Sequence, residues 1–349
     1  MKKVLNILTA LTLTTTPTIT SMACGTNTII ITPNQWENLD YEKIKNIEQN
    51  LKTKTAGQDY AIQKLKNRLD IIYTGFSSKE KPKANLFFAG PSGVGKSFLV
   101  QLFHDSLFDK SQNNLITFDM SEYKGFNSQE HFINQLSQYQ SQLKHSNILL
   151  FDEIEKADSQ IWDNFLQILD KGIITTNTGQ TISFANSFII FTSNVGATNI
   201  PYNDKKTEKE IRDLFIEEVK NYFTETLKRP ELLGRLGISN IVPFNYISDK
   251  NIQTQFITKN LQKIISATKT KYDQILEFKE TQMPNIINKI ISTLNINLGL
   301  RGINDSVEQN VIMPLSQFII DCNHKFTKQL KIVGKIDQNE IKYSLQPIT

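Results

Sequence analysis

Gly90-Pro91-Ser92-Gly93-Val94-Gly95-Lys96-Ser97, which follows the apolar run Leu86-Phe87-Phe88-Ala89, is the stretch that decides the fold. These residues fit G-x-x-x-x-G-K-[ST], a phosphate-binding loop, in the place where that pattern works, between a strand and a helix. Glycines let backbone N–H groups turn inward and line an anion-binding concavity without side-chain obstruction. A helix opening near Lys96 adds its positive N-terminal end. Lys96 then reaches the β- and γ-phosphates of a nucleotide, and the Ser97 hydroxyl can ligate Mg²⁺. All eight residues, Gly90 to Ser97, are therefore candidate nucleotide-binding positions. The plainer reading is a glycine-rich strand-to-helix turn, and the rest of the chain has to decide between the two.

Downstream, apolar runs alternate with amphipathic segments. Strands are expected at Asn85–Ala89, Leu115–Phe118, Asn147–Phe151, Phe188–Thr192 and Asn240–Phe244. Runs that are apolar on both faces, separated by helical stretches, predict an α/β fold with a five-stranded parallel sheet covered by helices. Ligands in open parallel sheets gather at the carboxyl ends of the strands. The third run ends there in Asp152-Glu153. Asp152 would hold Mg²⁺, and Glu153 would orient and deprotonate the attacking water. The fourth run ends in Thr192-Ser193-Asn194, where a neutral amide can hydrogen-bond both the water and the γ-phosphate. An asparagine favouring the turn after a strand is the plainer reading of Asn194.

Composition narrows the classes. The chain has 349 residues, 39 basic and 35 acidic, and a net charge of +4, so bulk electrostatics do not suggest nucleic-acid binding. Its two cysteines form no disulfide framework, and Cys322, in an apolar helical stretch, reads as a small buried side chain. Arginine occurs five times against thirty-four lysines, so an arginine here marks a place where a planar, permanently charged fork is needed. Arg229 and Arg235 flank Arg229-Pro-Glu-Leu-Leu-Gly-Arg235, and Arg301 sits in Gly299-Leu-Arg301. An arginine brought in from a neighbouring subunit stabilises charge developing in phosphoryl transfer, and one from a lid can report nucleotide state by moving that domain. Surface arginines capping helix ends are the plainer reading.

The N-terminus reads separately. Met1-Lys2-Lys3, the apolar Val4–Leu13, a Thr-rich stretch and Ala23-Cys24 have the order of an export signal. The apolar run is too short for a spanning helix. Cys24 after Ala23 resembles a bacterial lipoprotein signal, with Ser21 departing from its usual aliphatic residue. A membrane-anchored lipoprotein held through Cys24, plain secretion or an uncleaved anchor, and a cytoplasmic tail remain open. Residues 25–54, polar and lysine-rich, read as a linker. A helix is expected from Gly57-Gln58-Asp59 onward, with Ile62, Leu65, Leu69 and Ile72 on one face.

In this order the motifs resemble the second, C-terminal ATPase module of the Clp-type AAA+ chaperones. The likeness runs from Gly57 to the end. It includes Gly90–Ser97, Phe118-Asp-Met-Ser-Glu-Tyr123, Leu149-Leu-Phe-Asp-Glu-Ile-Glu-Lys-Ala157, Thr192-Ser-Asn-Val-Gly196, Arg229–Arg235 and Gly299-Leu-Arg301. The resemblance implies an AAA+ core over residues 55–246 and a small, mainly helical lid over 247–349, with ATP and Mg²⁺ between them. It also implies an oligomeric ring, commonly hexameric, acting on another protein. By the same resemblance Asn194 looks like the first sensor, Arg235 like an arginine finger acting in trans, and Arg301 like the second sensor acting in cis.

Two departures qualify it. The segment between Tyr123 and Ile148, where the family carries an aromatic pore loop, is shorter than in the family. Its nearest match is Tyr123-Lys124-Gly125-Phe126, which reads equally well as core aromatics at a strand end. Residues 195–215 also lack the aliphatic-Gly-aliphatic tripeptide that docks a protease, so a protease partner is not supported. The alternative is a non-threading ATP-binding regulatory or scaffold module, architecturally similar to torsins.

Overall fold

The computed structural model describes residues 35–55, 57–109, 113–176, 178–322 and 329–348. The export-signal reading, Cys24 included, lies outside them. Chain order begins with helices α1 (Tyr41–Lys54) and α2 (Asp59–Tyr73), strand β1 (Ala84–Ala89) and α3 (Lys96–Leu107). It continues with β2 (Leu115–Asp119), α4 (Ser128–Gln138), β3 (Asn147–Asp152) and α5 (Ile161–Lys171). A hairpin, β4 (Ile173–Thr175) and β5 (Thr181–Ser183), precedes β6 (Ser187–Ser193), α6 (Glu208–Asn221), α7 (Pro230–Leu236) and β7 (Ile241–Pro243).

Five of these strands form one all-parallel sheet in the order β2-β3-β6-β1-β7. Strict alternation along each strand feeds two cores, one on each face. Leu149 and Phe151 of β3, Ile189 and Phe191 of β6 and Phe87 of β1 enter one core. Ile148, Leu150, Phe188, Ile190 and Phe88 enter the other. The first is a lattice of rings, with Phe151 stacked between Phe118 and Phe191 at centroid distances of 5.3 and 5.4 Å. Covering both faces with helices is what lets a parallel sheet be apolar throughout.

The linker expectation for residues 25–54 is corrected from Trp36 onward. Trp36 is buried and donates Nε1–H to the Asn186 carbonyl at 2.8 Å. Asp40 caps α1 by accepting the Glu42 N–H at 2.8 Å. Ile44, Ile47 and Leu51 of α1 are all buried against α2 and α3. Their spacing of three and four places them on one face, and the lysines between them lie on the other, so average polarity hides a core helix.

Beyond β7 the chain enters a second unit. It comprises α8 (Lys250–Tyr272), β8 (Leu276–Phe278), α9 (Met283–Ser292), α10 (Gly299–Val307), α11 (Met313–Asp321), β9 (Leu330–Asp337) and β10 (Glu340–Pro347). Asp249 caps α8 by accepting two N–H groups. Strands β9 and β10 form a hairpin, turning through Gln338 and Asn339, both at positive φ as a tight two-residue hairpin requires. Strand β8 joins it in parallel and was not foreseen, being only three residues long. The unit has its own core, with Ile257, Leu261, Ile290, Val307 and Ile332 at its centre. Cys322 is half-buried at the end of α11 rather than buried as expected. Among the described residues no helix is long and apolar enough to cross a membrane.

Candidate functional site

Strand order places the chemistry. β6 lies between β1 and β3, so its tip, Asn194, falls between the phosphate loop that leaves β1 and the carboxylates that end β3. Gly93 and Gly95 turn the loop at φ +74° and +94°, and Gly95 starts α3. Gly93 also has the second unit pressed against it. The Leu300 N–H donates to the Gly93 carbonyl at 2.9 Å, and a Cβ on Gly299 would lie 2.6 Å from that same oxygen. Neither glycine has room for a side chain.

Lys96 is buried, and its ammonium donates to the carbonyls of Gly90 and Pro91, both at 2.8 Å, and to Asn194 Oδ1 at 2.9 Å. Burial pushes its pKa down to about 8, against the pull of the Glu155, Asp152 and Glu153 carboxylates. A buried cation whose three partners are neutral oxygens has electrostatic room for an anion. Ser97 Oγ donates to Asp152 Oδ1 at 2.7 Å. Among the described residues no cluster of three His, Cys, Asp or Glu forms a metal site of its own. A hydroxyl beside one carboxylate suits a Mg²⁺ ion whose remaining ligands are phosphate oxygens and water. The residues present thus fit both ATP and Mg²⁺: the loop and Lys96 would hold the phosphates, and Ser97 and Asp152 the metal, which would supply charge neutralisation at the β- and γ-oxygens.

Glu153 follows with its backbone in the left-handed region, φ 55°, an uncommon state for a residue with a side chain. Its amide donates to Thr192 Oγ1 at 3.0 Å, and the Thr192 hydroxyl donates in turn to Asp152. The Glu153 carboxylate is paired with Lys156 and accepts from Asn194 Nδ2 at 3.3 Å. Glu155 accepts from both the backbone N–H and Nδ2 of Asn194, each at 3.2 Å. From the second unit, the Arg301 guanidinium donates to Ser92 Oγ at 2.7 Å. One cleft of about 190 Å³ is lined by Ser92, Gly93, Gly95, Lys96 and Ser97 of the loop, by Asp152, Glu153, Thr192 and Asn194, and by Arg301.

Other expected residues lie elsewhere. Val94 faces the core beneath the loop, and Gly90 and Pro91 contribute through the carbonyls that hold Lys96. Arg235 is at the opposite, amino end of the sheet. It pairs with Asp170 at 3.1 Å beside a cavity that Lys83, Ala84 and Asn85 at the start of β1 also line. Arg229 pairs with Asp163 at 2.7 Å and with Glu231. The two aromatics of the shortened segment divide. Tyr123 is buried with its hydroxyl on Gln135, a core residue, whereas Phe126 is 97% exposed. Thr192, Glu155 and Lys156 were not foreseen as site residues. All three sit inside quoted motifs, but only strand order shows what they touch.

Residues 81–239 match the family described as AAA domain (Cdc48 subfamily). The chain is 35% identical over 245 residues to the chaperone protein ClpB of Clostridium tetani, covering 66% of this chain and 27% of that protein. It is 30% identical over 319 residues to the ATP-dependent Clp protease ATP-binding subunit ClpL of Staphylococcus aureus, covering 88% and 42%. It is 29% identical over 301 residues to heat shock protein 104 of Schizosaccharomyces pombe, covering 80% and 31%. The chain thus spans between about a quarter and two fifths of the length of these curated relatives. The phosphate loop, paired carboxylates and polar strand tip all fall within residues 81–239, the stretch similar to the AAA domain family, and the relatives named are similar to this chain over that stretch and beyond it.

Proposed function

We propose that this chain hydrolyses ATP with Mg²⁺ as an oligomeric ring of copies and uses the cycle to remodel another protein. In this reading Lys96 binds the γ-phosphate, Ser97 and Asp152 hold the metal, and Asn194 orients the attacking water. Glu153 takes the proton of the water whose oxygen bonds to the γ-phosphorus, while the bond from that phosphorus to the β–γ bridging oxygen breaks and ADP leaves. Arg301 senses the nucleotide in cis, and Arg235 serves the site of a neighbouring copy. The observation that carries the reading is the split between a cleft holding every other group and an Arg235 that is half exposed at the far end of the sheet. Steady-state phosphate release tests it. Turnover should need Mg²⁺ and rise steeply with protein concentration, and Glu153→Gln should still bind ATP but lose turnover by about 10²- to 10⁴-fold. Release that is unchanged by Glu153→Gln would sink it.

Phe126 supports the remodelling part. Its aromatic ring is 97% exposed beside Gly125, at the carboxyl side of the sheet, and so is free to meet a polypeptide from outside. Phe126→Ala should leave basal turnover intact and abolish its stimulation by an unfolded polypeptide. Equal stimulation in both proteins would assign the grip elsewhere. On the pattern of residues 1–24 alone, we further propose export and lipid attachment at Cys24. Mass analysis of the mature N-terminus decides it, since an intact Met1 on soluble protein would rule it out.

A further inference from the structure

We infer that Glu155 is a positioning residue for ATP hydrolysis that acts through Asn194, fixing which way its amide faces. A primary amide has a donor end and an acceptor end, and turning it over exchanges them. Here the acceptor end, Oδ1, faces the Lys96 ammonium at 2.9 Å, and the donor end, Nδ2, faces Glu155 and Glu153 at 3.2 and 3.3 Å. Turning the amide over would set its NH₂ against a cation and its carbonyl against two carboxylates.

Of the two carboxylates, Glu155 is the one placed to do the fixing. Glu153 shares its charge with Lys156 and must be free to take a proton. Glu155 uses one oxygen, Oε1, to hold both the backbone N–H and the side-chain Nδ2 of Asn194, so main chain and side chain are held together. The turn that presents it, Ile154–Lys156, is seated by Ile154, which is fully buried. Tip of β3 and tip of β6 are thereby tied, and the water-orienting amide and the proton-accepting carboxylate keep one geometry. The other oxygen, Oε2, is buried with no hydrogen-bond partner among the described residues. A glutamine could therefore keep its carbonyl in the Oε1 position and put its NH₂ where nothing is lost.

The inference rests on Asn194 serving hydrolysis, and the experiment separates the two. ATP turnover and nucleotide affinity are measured on the full chain under assembling conditions for E155A, E155Q, N194A and E155A/N194A. We expect E155A to lower kcat on the order of 10- to 100-fold with nucleotide affinity nearly unchanged, because a misplaced group costs rate rather than binding. E155Q should recover most of that loss. The double variant should be no slower than N194A, because two residues acting as a unit do not lose rate independently. Additive losses, an E155Q as slow as E155A, or a fall in affinity matching the fall in kcat would each overturn the role of Glu155. A slow N194A beside an unimpaired E155A overturns it too, whereas an N194A at full rate overturns the reading of Asn194 beneath it. Should E155A fold poorly, Glu155→Met, of similar length and without an acceptor, takes its place in the same comparison.

Discussion

Both ends of β1 carry an arginine from a later part of the chain, and the two are held in opposite ways. At the carboxyl end Arg301 reaches across from α10 to Ser92, with a backbone hydrogen bond beside it joining Leu300 to Gly93. At the amino end Arg235 is tied, among the described residues, to Asp170 and stays half exposed. A six-residue strand separates them by roughly 15–20 Å, far beyond the reach of a side chain. One arginine is built into its own chain's site, and the other is carried on a face that its own site cannot use. On the proposal above, a single copy is therefore complete for holding a nucleotide and incomplete for rapid turnover.

The largest effect should come from Arg235→Ala. Loss of a finger supplied in trans should lower kcat on the order of 10³-fold or more. Mixing this variant with Lys96→Ala should restore measurable turnover, since each copy supplies what the other lacks. A strictly monomeric preparation at full activity would erase the contrast between the two arginines. Next comes Arg301→Ala, which removes a charged donor at the loop and should weaken ATP binding by about 10- to 100-fold. Measured by nucleotide titration, this defect should resist rescue by mixing, because Arg301 serves its own chain. The smallest effect is expected from Asp170→Ala. An exposed ion pair contributes about 1 kcal/mol at most, so turnover should change by less than about fivefold. A tenfold loss would mean that Asp170 holds Arg235 in its working position rather than in a resting one.

The sheet was legible because four of its strands are apolar runs of five to seven residues and the three-residue β7 lies within the longer apolar run Ile241-Val-Pro-Phe244, so that all boundaries fell within a residue of those expected. Helix α1 was not, because Ile44, Ile47 and Leu51 are sparse among lysines and only their spacing distinguishes them. The β4–β5 hairpin and β8, each built from three-residue strands, are too short to leave a period. For the site, residue types in motifs pointed to Lys96, Ser97, Asp152, Glu153 and Asn194. The roles of Thr192 and Glu155 depend on β6 lying between β1 and β3, which is a fact of topology rather than of any local pattern. Tyr123 and Phe126 are both aromatic and three positions apart, so only burial could send one to the core and the other to solvent.

The contact between Gly93 and Gly299 has a further consequence. Two main chains meet there with no side chain between them, and a methyl group on either would be a wedge driven into the joint. Such a joint has no slack. A loop that shifted on closing around phosphate would press directly on the backbone at the start of α10, because main chain meets main chain there. Gly93 is in that sense both part of the receptacle and the seat of the second unit, so a side chain there would disturb the joint as much as the site.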